Sequence, residues 1–150
     1  MIRLYQEKDI EEVVESWYQA SCLAHSFLSD RFFEEEEINL RELFLPNSET
    51  WVKEINGRVV GFISLIIKEK HGEAEVGGLF IHPEWQRQGI GQALMDKARA
   101  DYPILELDVF AANTQGRAFY QKYGFTYLQQ QRDQATEELS NRLRYDHTTL

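Results

Sequence analysis

The stretch TWVKEINGRVVGFISLIIKE, residues 50–69, places the tightest constraint on the fold. Two runs of β-branched and aromatic residues flank Asn56-Gly57, the dipeptide that most strongly favours a two-residue turn, so the pair folds back as an antiparallel hairpin. Downstream, GEAEVGGLFIHP reads as a further strand ending at Pro83, and residues 89–101 as a helix stopping before Pro103. ILELDVF alternates as a strand, and NTQGRAFYQKYGF is a short helix closed by Gly124. Upstream, MIRLYQ is a short strand, and KDIEEVVESWYQASCLAH a helix with Ile10, Val13, Val14, Trp17 and Ser21 on one stripe. SDRFFEEEEINLRELFLP predicts a second helix, capped by Ser29 or Asp30 and stopped at Pro46. TYLQQQRD and LSNRLRYDH predict two final antiparallel strands joined at QATEE. The order implies an α/β fold, a mixed sheet with helices on its faces. No Ser-, Gly- or Pro-rich linker interrupts it, so residues 1–150 are expected to form a single domain.

Composition narrows the function. The chain has 43% hydrophobic and 13% aromatic residues, the balance of a packed globular protein. Its longest apolar run, Val59 to Ile67, is too short to cross a bilayer, and MIRLYQEKDI lacks the apolar core of a secretion signal. One cysteine, Cys22, excludes an internal disulfide framework and fits a reducing cytoplasm. A formal charge of −9 argues against nucleic acid as a partner and favours a cationic one. The four histidines and the cysteine have no metal-ligand spacing, so no metal is implied.

The most informative loop is QRQGIGQ, Gln86 to Gln92. It is no ATP-binding P-loop, because Gly91 is followed by Gln92-Ala93 where lysine and a hydroxyl residue are needed. It is no dinucleotide fingerprint, because Leu94 stands where that motif needs glycine or alanine. A tight strand-to-helix turn without a ligand is the plainer alternative. The run does fit [QR]-x-x-G-x-[GA] between a strand and a helix. Backbone N–H groups at such a helix start, aided by the helix dipole, suit a diphosphate. Gly89 and Gly91 would keep a Cβ from standing between amide and phosphate. Arg87 adds a local cation.

In this loop the sequence resembles the GNAT family, the Gcn5-related N-acetyltransferases. The resemblance covers residues 2 to 146 and is densest from Glu73 to Phe125. It implies the GNAT fold, a splayed sheet flanked by helices, with acetyl-CoA as cofactor. Gln86, Arg87, Gln88, Gly89, Ile90, Gly91 and Gln92 would then surround the pyrophosphate. Main-chain groups of Leu79, Phe80 and Ile81 would pair with pantetheine where Gly77-Gly78 loosens the strand. Asn113 would bond the pantetheine arm, and Tyr120 would donate a proton to the departing thiolate. Gly116 departs from the alanine usual in the family.

The acceptor is expected to be a primary amine attacking directly in a ternary complex. Removing a proton from a lysine-like amine at pH 7 costs about 4.6 kcal/mol, which makes a base useful. Glu75 stands where some GNAT enzymes carry a catalytic glutamate. Period two would put it on one face with Gly77, Leu79 and Ile81 unless a bulge intervenes, and Glu73 is its reserve. His25, Phe27 and Phe32 would line the acceptor mouth, with Phe33 and the acidic run Glu34 to Glu37 nearby. The spacing of Trp17, His25 and Phe27 resembles a subgroup of small bacterial GNAT proteins with peptidyl-lysine acetyltransferase members. Protein lysine or an N-terminal amine leads, with a polyamine- or aminoglycoside-type amine and a non-catalytic acyl-CoA-binding regulator as alternatives. Many GNAT proteins dimerise through C-terminal strands, which leaves a homodimer open.

Overall fold

The computed structural model describes residues 1–149. In chain order the elements are β1 (Ile2–Leu4), α1 (Ile10–Ala24), α2 (Asp30–Asn39), α3 (Leu45–Asn47), β2 (Glu49–Ile55), β3 (Arg58–Ile67) and β4 (Glu73–Ile81). Then follow α4 (Ile90–Asp101), β5 (Ile104–Phe110), α5 (Thr114–Tyr123), β6 (Thr126–Arg132) and β7 (Leu139–Asp146). The strands form one mixed sheet in the order β1-β2-β3-β4-β5-β7-β6, parallel only between β4 and β5. The hairpin turns at Asn56 and Gly57 with φ of 51° and 80°, the left-handed pair expected of that dipeptide.

Ser29 is the cap of α2, its Oγ accepting the Phe32 N–H at 3.1 Å. The helical path ends at Asn47, one residue past the expected stop at Pro46, and reaches it through a wide π turn, Leu40–Phe44, and the short α3.

Each sheet face carries its own core. On one, Leu94, Met95 and Ala98 of α4 are fully buried against Ile63, Leu65, Ala74 and Leu105. On the other, Val13, Val14 and Trp17 of α1 pack on Val52, Val59 and Phe62. The helices are amphipathic for this reason, and β3, covered on both sides, is buried from Val59 to Leu65 and apolar there except for Ser64.

β4 and β5 pair only at Glu73↔Ile104, Ala74↔Leu105 and Glu75↔Glu106 and then part. At the parting point, Gly77 is an extra residue between the matched pairs Leu65↔Val76 and Ser64↔Gly78. This bulge overturns the expected shared face. Ala74 and Val76 lie on the α4 side, and so do Leu79 and Ile81 beyond the bulge, while Glu75 points to the α1 side with Phe80. Arg142 of β7 fastens the closed end. Its Nη1 and Nη2 each lie 2.6 Å from a Glu75 oxygen, and Nη2 also meets Glu106 at 2.9 Å.

Arg142→Met would leave Glu75 with Lys68 Nζ at 3.9 Å as its remaining cation, while Glu106 keeps Arg144, and is expected to cost about 2 kcal/mol. Urea denaturation measures this, and a loss below about 1 kcal/mol would show the clamp to be dispensable.

Candidate active site

The loop after β4 is shaped by its own side chains. The Gln86 Nε2 donates to the Ile81 carbonyl at 2.9 Å, so one of the main-chain groups expected to meet pantetheine is already engaged. Arg87 holds φ of 63° without being glycine, and Gly89, the N-cap of α4, holds 80°. Left-handed backbone at a non-glycine residue is costly and clusters at ligand sites. The first helical bond of α4 runs from the Ala93 N–H to the Gly89 carbonyl at 3.0 Å. The N–H groups of Ile90, Gly91 and Gln92 precede it, and no side chain caps them.

The two glycines have different reasons. At Gly89 a Cβ would meet no protein atom, so the backbone angle is what requires glycine. At Gly91 a Cβ would lie 3.3 Å from the Phe119 ring, so close packing of α4 on α5 is one reason for glycine there.

A cleft of about 630 Å³ runs from this loop along the parted edge of β4 to α5. Arg87, Gly89, Ile90, Gly91 and Gln92 line it, with Leu79, Phe80 and Ile81 as its floor. Beyond Glu75 the β5-facing main chain of β4 has no strand partner. Trp85 also lines the cleft, and its buried Nε1 has no hydrogen-bond partner among the described residues. Uncapped helix N–H groups, an unpaired strand edge and an orphaned indole N–H are a donor-rich set suited to a diphosphate and an amide-bearing chain. These residues fit coenzyme A. An isolated tryptophan carries no positional signal, so the sequence alone does not place Trp85 in this cleft.

A smaller cavity of about 280 Å³ opens on the α1 side. The two meet at His25, Leu79, Phe80, Asn113 and Tyr120, which line both. Asn113 caps α5, its Oδ1 accepting the Gly116 N–H at 2.9 Å, while its Nδ2 lies 3.3 Å from His25 Nε2. An amide nitrogen only donates, so His25 Nε2 accepts and its proton sits on Nδ1. Burial pushes the His25 imidazole down to about 4, leaving it neutral at pH 7. Gly116 is explained by the same cap, since a Cβ there would lie 2.6 Å from Asn113 Nδ2. Tyr120 packs edge-on against Phe119 and Phe125, and burial raises its phenol to about 12. Its hydroxyl makes no hydrogen bond among the described residues.

Phe32 lines the smaller cavity, joined by Trp17 and Phe33. Phe27 lines neither cavity; it stands behind His25, 5.9 Å between ring centres, and against Phe110 at 5.6 Å. Glu75 lines neither, and its carboxylate is committed to Arg142, with Lys68 Nζ 3.9 Å away. Glu73 likewise faces Arg144 at 3.7 Å. Sequence reasoning missed Asp108, Phe110 and Asp133 in the cavity wall, because β5 and the β6–β7 turn carry no motif and meet α1 and α2 only through the fold.

A split sheet whose gap joins an anion-ready helix start to a second, acidic pocket defines a transferase that takes an activated acyl group from coenzyme A. Residues 10–125 match the model of the acetyltransferase (GNAT) family, and the chain belongs to that family. It is an N-acetyltransferase that uses acetyl-CoA. It is 30% identical over 125 residues to the peptidyl-lysine N-acetyltransferase YiaC of Escherichia coli (strain K12), covering 83% of this chain and 82% of that one. The solution structure of apo-form YjaB from Escherichia coli superposes with a TM-score of 0.81 at 28% identity, over 97% of this chain and 96% of that one. The crystal structure of PaiA N-acetyltransferase from Thermoplasma acidophilum, in complex with coenzyme A, shares the fold with a TM-score of 0.79 at 21% identity, over 97% and 98%.

The His25 environment has a pH signature. With the folded pKa near 4 and the unfolded one near 6.5, the unfolded chain binds more protons between those values. Stability from neutral His25 is therefore full above pH 6.5 and lost as pH falls toward 4. Between pH 7 and pH 4.5 wild type is expected to lose about 2 kcal/mol more than His25→Gln, measured by urea denaturation at both pH values. Equal losses would show that His25 is not desolvated.

Proposed function

We propose that this chain acetylates the side-chain amine of lysine in a protein or peptide, by direct attack in a ternary complex. The observation that carries this is the meeting of the two cavities at Tyr120, Asn113 and His25, one lined by uncapped N–H groups and the other by carboxylates and aromatic rings. The choice of lysine draws on the peptidyl-lysine acetyltransferases that the chain resembles.

Acetyl-CoA supplies a thioester-activated acetyl group and a thiolate leaving group. Gly89 to Gln92 hold the pyrophosphate on the start of α4, and Leu79 and Phe80 hold pantetheine in the β4 gap. Asn113 steadies the arm from the α5 cap. Tyr120, protonated at neutral pH, offers its hydroxyl to the sulfur as negative charge develops there. A phenol raised to about 12 is a weaker acid than a thiol of about 8.5, so Tyr120 works chiefly by hydrogen bonding and water completes the protonation. His25, neutral down to about 4, is too weak a base to hold the amine's proton, which leaves to water through the smaller cavity. Glu75 serves as a structural clamp with Arg142 and not as the base. No helix among the described residues is long and apolar enough to cross a membrane. We place the reaction in the reducing cytoplasm, which a single cysteine fits.

Tyr120→Phe is expected to lower kcat about ten- to a hundredfold with acetyl-CoA affinity within about twofold. Thiol release with lysine peptides and with a metabolite amine fraction provides the assay. A wild-type rate in the variant would remove Tyr120 from the chemistry, and release confined to the metabolites would move the acceptor to a small amine.

A further inference from the structure

The four consecutive glutamates of α2 separate in the fold. Glu34 and Glu35 are exposed, Glu35 pairing with Arg31 at 3.0 Å, and Glu37 pairs with Arg41 at 3.1 Å. Only Glu36 lines the smaller cavity, where burial raises its carboxyl against a weaker pull from Asn39. Asp133, in the turn between β6 and β7, lines the same cavity from the opposite end of the chain. The Thr136 N–H at 3.0 Å and Oγ1 at 2.7 Å fix its Oδ2.

Among the described residues neither Glu36 nor Asp133 has an ion-pair partner. The third carboxylate in the wall, Asp108, is already answered by Arg142 at 3.3 Å. His25 and Tyr120, the other titratable groups lining the cavity, are neutral at pH 7. Two carboxylates facing one half-enclosed space without a cation repel each other. A second, independent sign of a missing ligand lies beside them. Ser21, 1% exposed and in the same wall, has a buried Oγ with no hydrogen-bond partner among the described residues. Trp17, Phe32 and Phe33 supply aromatic surface for a hydrocarbon stem and favour a cation near their faces.

We propose that Glu36 and Asp133 hold the positive charge of the acceptor, an alkylammonium group, with Ser21 Oγ accepting a further hydrogen bond from it. One oxygen of Glu36 already accepts from Asn39 and one of Asp133 from Thr136, so each offers a single-oxygen contact, which suits the compact head of an alkylammonium better than the two-pronged grip of a guanidinium. The assignment builds on the amine acetylation proposed for the same site and makes Glu36 and Asp133 its specificity residues.

The test uses the whole protein saturated with coenzyme A and two probes, Nα-acetyl-lysine amide and its neutral counterpart Nα-acetyl-norleucine amide. Calorimetric or NMR titration should show wild type preferring the charged probe by about tenfold or more. In Glu36→Gln, and separately in Asp133→Asn, the preference should fall to about twofold or less, with coenzyme A affinity unchanged as proof of folding. A preference retained in both variants, or absent from wild type, overturns the proposal. Turnover separates this failure from failure of the acetylation reading. Glu36-dependent binding with no amine acetylated by wild type would keep the cation site and overturn acetyl transfer. Acetylation of the lysine probe with an unchanged KM in Glu36→Gln would keep the reaction and overturn the site.

Discussion

The short parallel contact between β4 and β5 governs the rest of the molecule. Three residue pairs join the strands, and Arg142 locks them by gripping Glu75 and Glu106 from the neighbouring strand β7. Burial alone would push the Glu106 carboxyl up, but Arg144 and Arg142 hold it below its ordinary range, so the clamp stays charged. Above it the strands have no reason to stay together, because Gly77 shifts the β4 register and adds local twist. A sheet opened in this way exposes main-chain donors and acceptors inside the protein, a costly state unless something pairs with them. A coenzyme carrying amides and a diphosphate answers that need.

The charges around this opening are unevenly spread, and Asp96, the carboxylate in the wall of the larger cavity, is already paired with Arg99. Helix N–H groups and Arg87 stand at one mouth, and Glu36 and Asp133 at the other. Between them the side chains of Leu79, Phe80, His25 and Tyr120 are apolar or neutral. Groups of opposite sign are thus kept apart until both ligands arrive, and the neutral junction excludes competing ion pairs. The Asn113–His25 contact ties the α5 cap to the end of α1, so each cavity borrows a wall from the other.

Much of this was legible in the sequence, for identifiable reasons. Asn56-Gly57, the Gly89-Ile90-Gly91 loop and the stripe from Val13 to Ser21 are local signals, and local backbone physics sets them. The π turn through Leu40 escaped because its residues are ordinary helix formers and only the bond spacing differs. Counting alternation from Glu75 to Ile81 gave the wrong face because one unpaired residue reverses every later side chain. The acidic end of the smaller cavity was only half legible. Glu34 to Glu37 were visible as a run, but which of them faces inward depends on the helix phase. Asp133 enters from a turn about a hundred residues away in sequence, which no spacing rule connects to α2.

The two cavities share β4, His25, Asn113 and Tyr120, while the rest of their walls come mainly from different stretches of chain. The larger is completed mainly by the Gln86–Gly89 loop, α4 and α5, and the smaller by α1, α2, β5 and the β6–β7 turn. Substitutions in the turn carrying Asp133 or in the exposed faces of α2 leave the helix start and the strand edge untouched. Such a division lets a lineage exchange one acceptor for another by drift in peripheral segments while its grip on the acyl donor stays under separate selection.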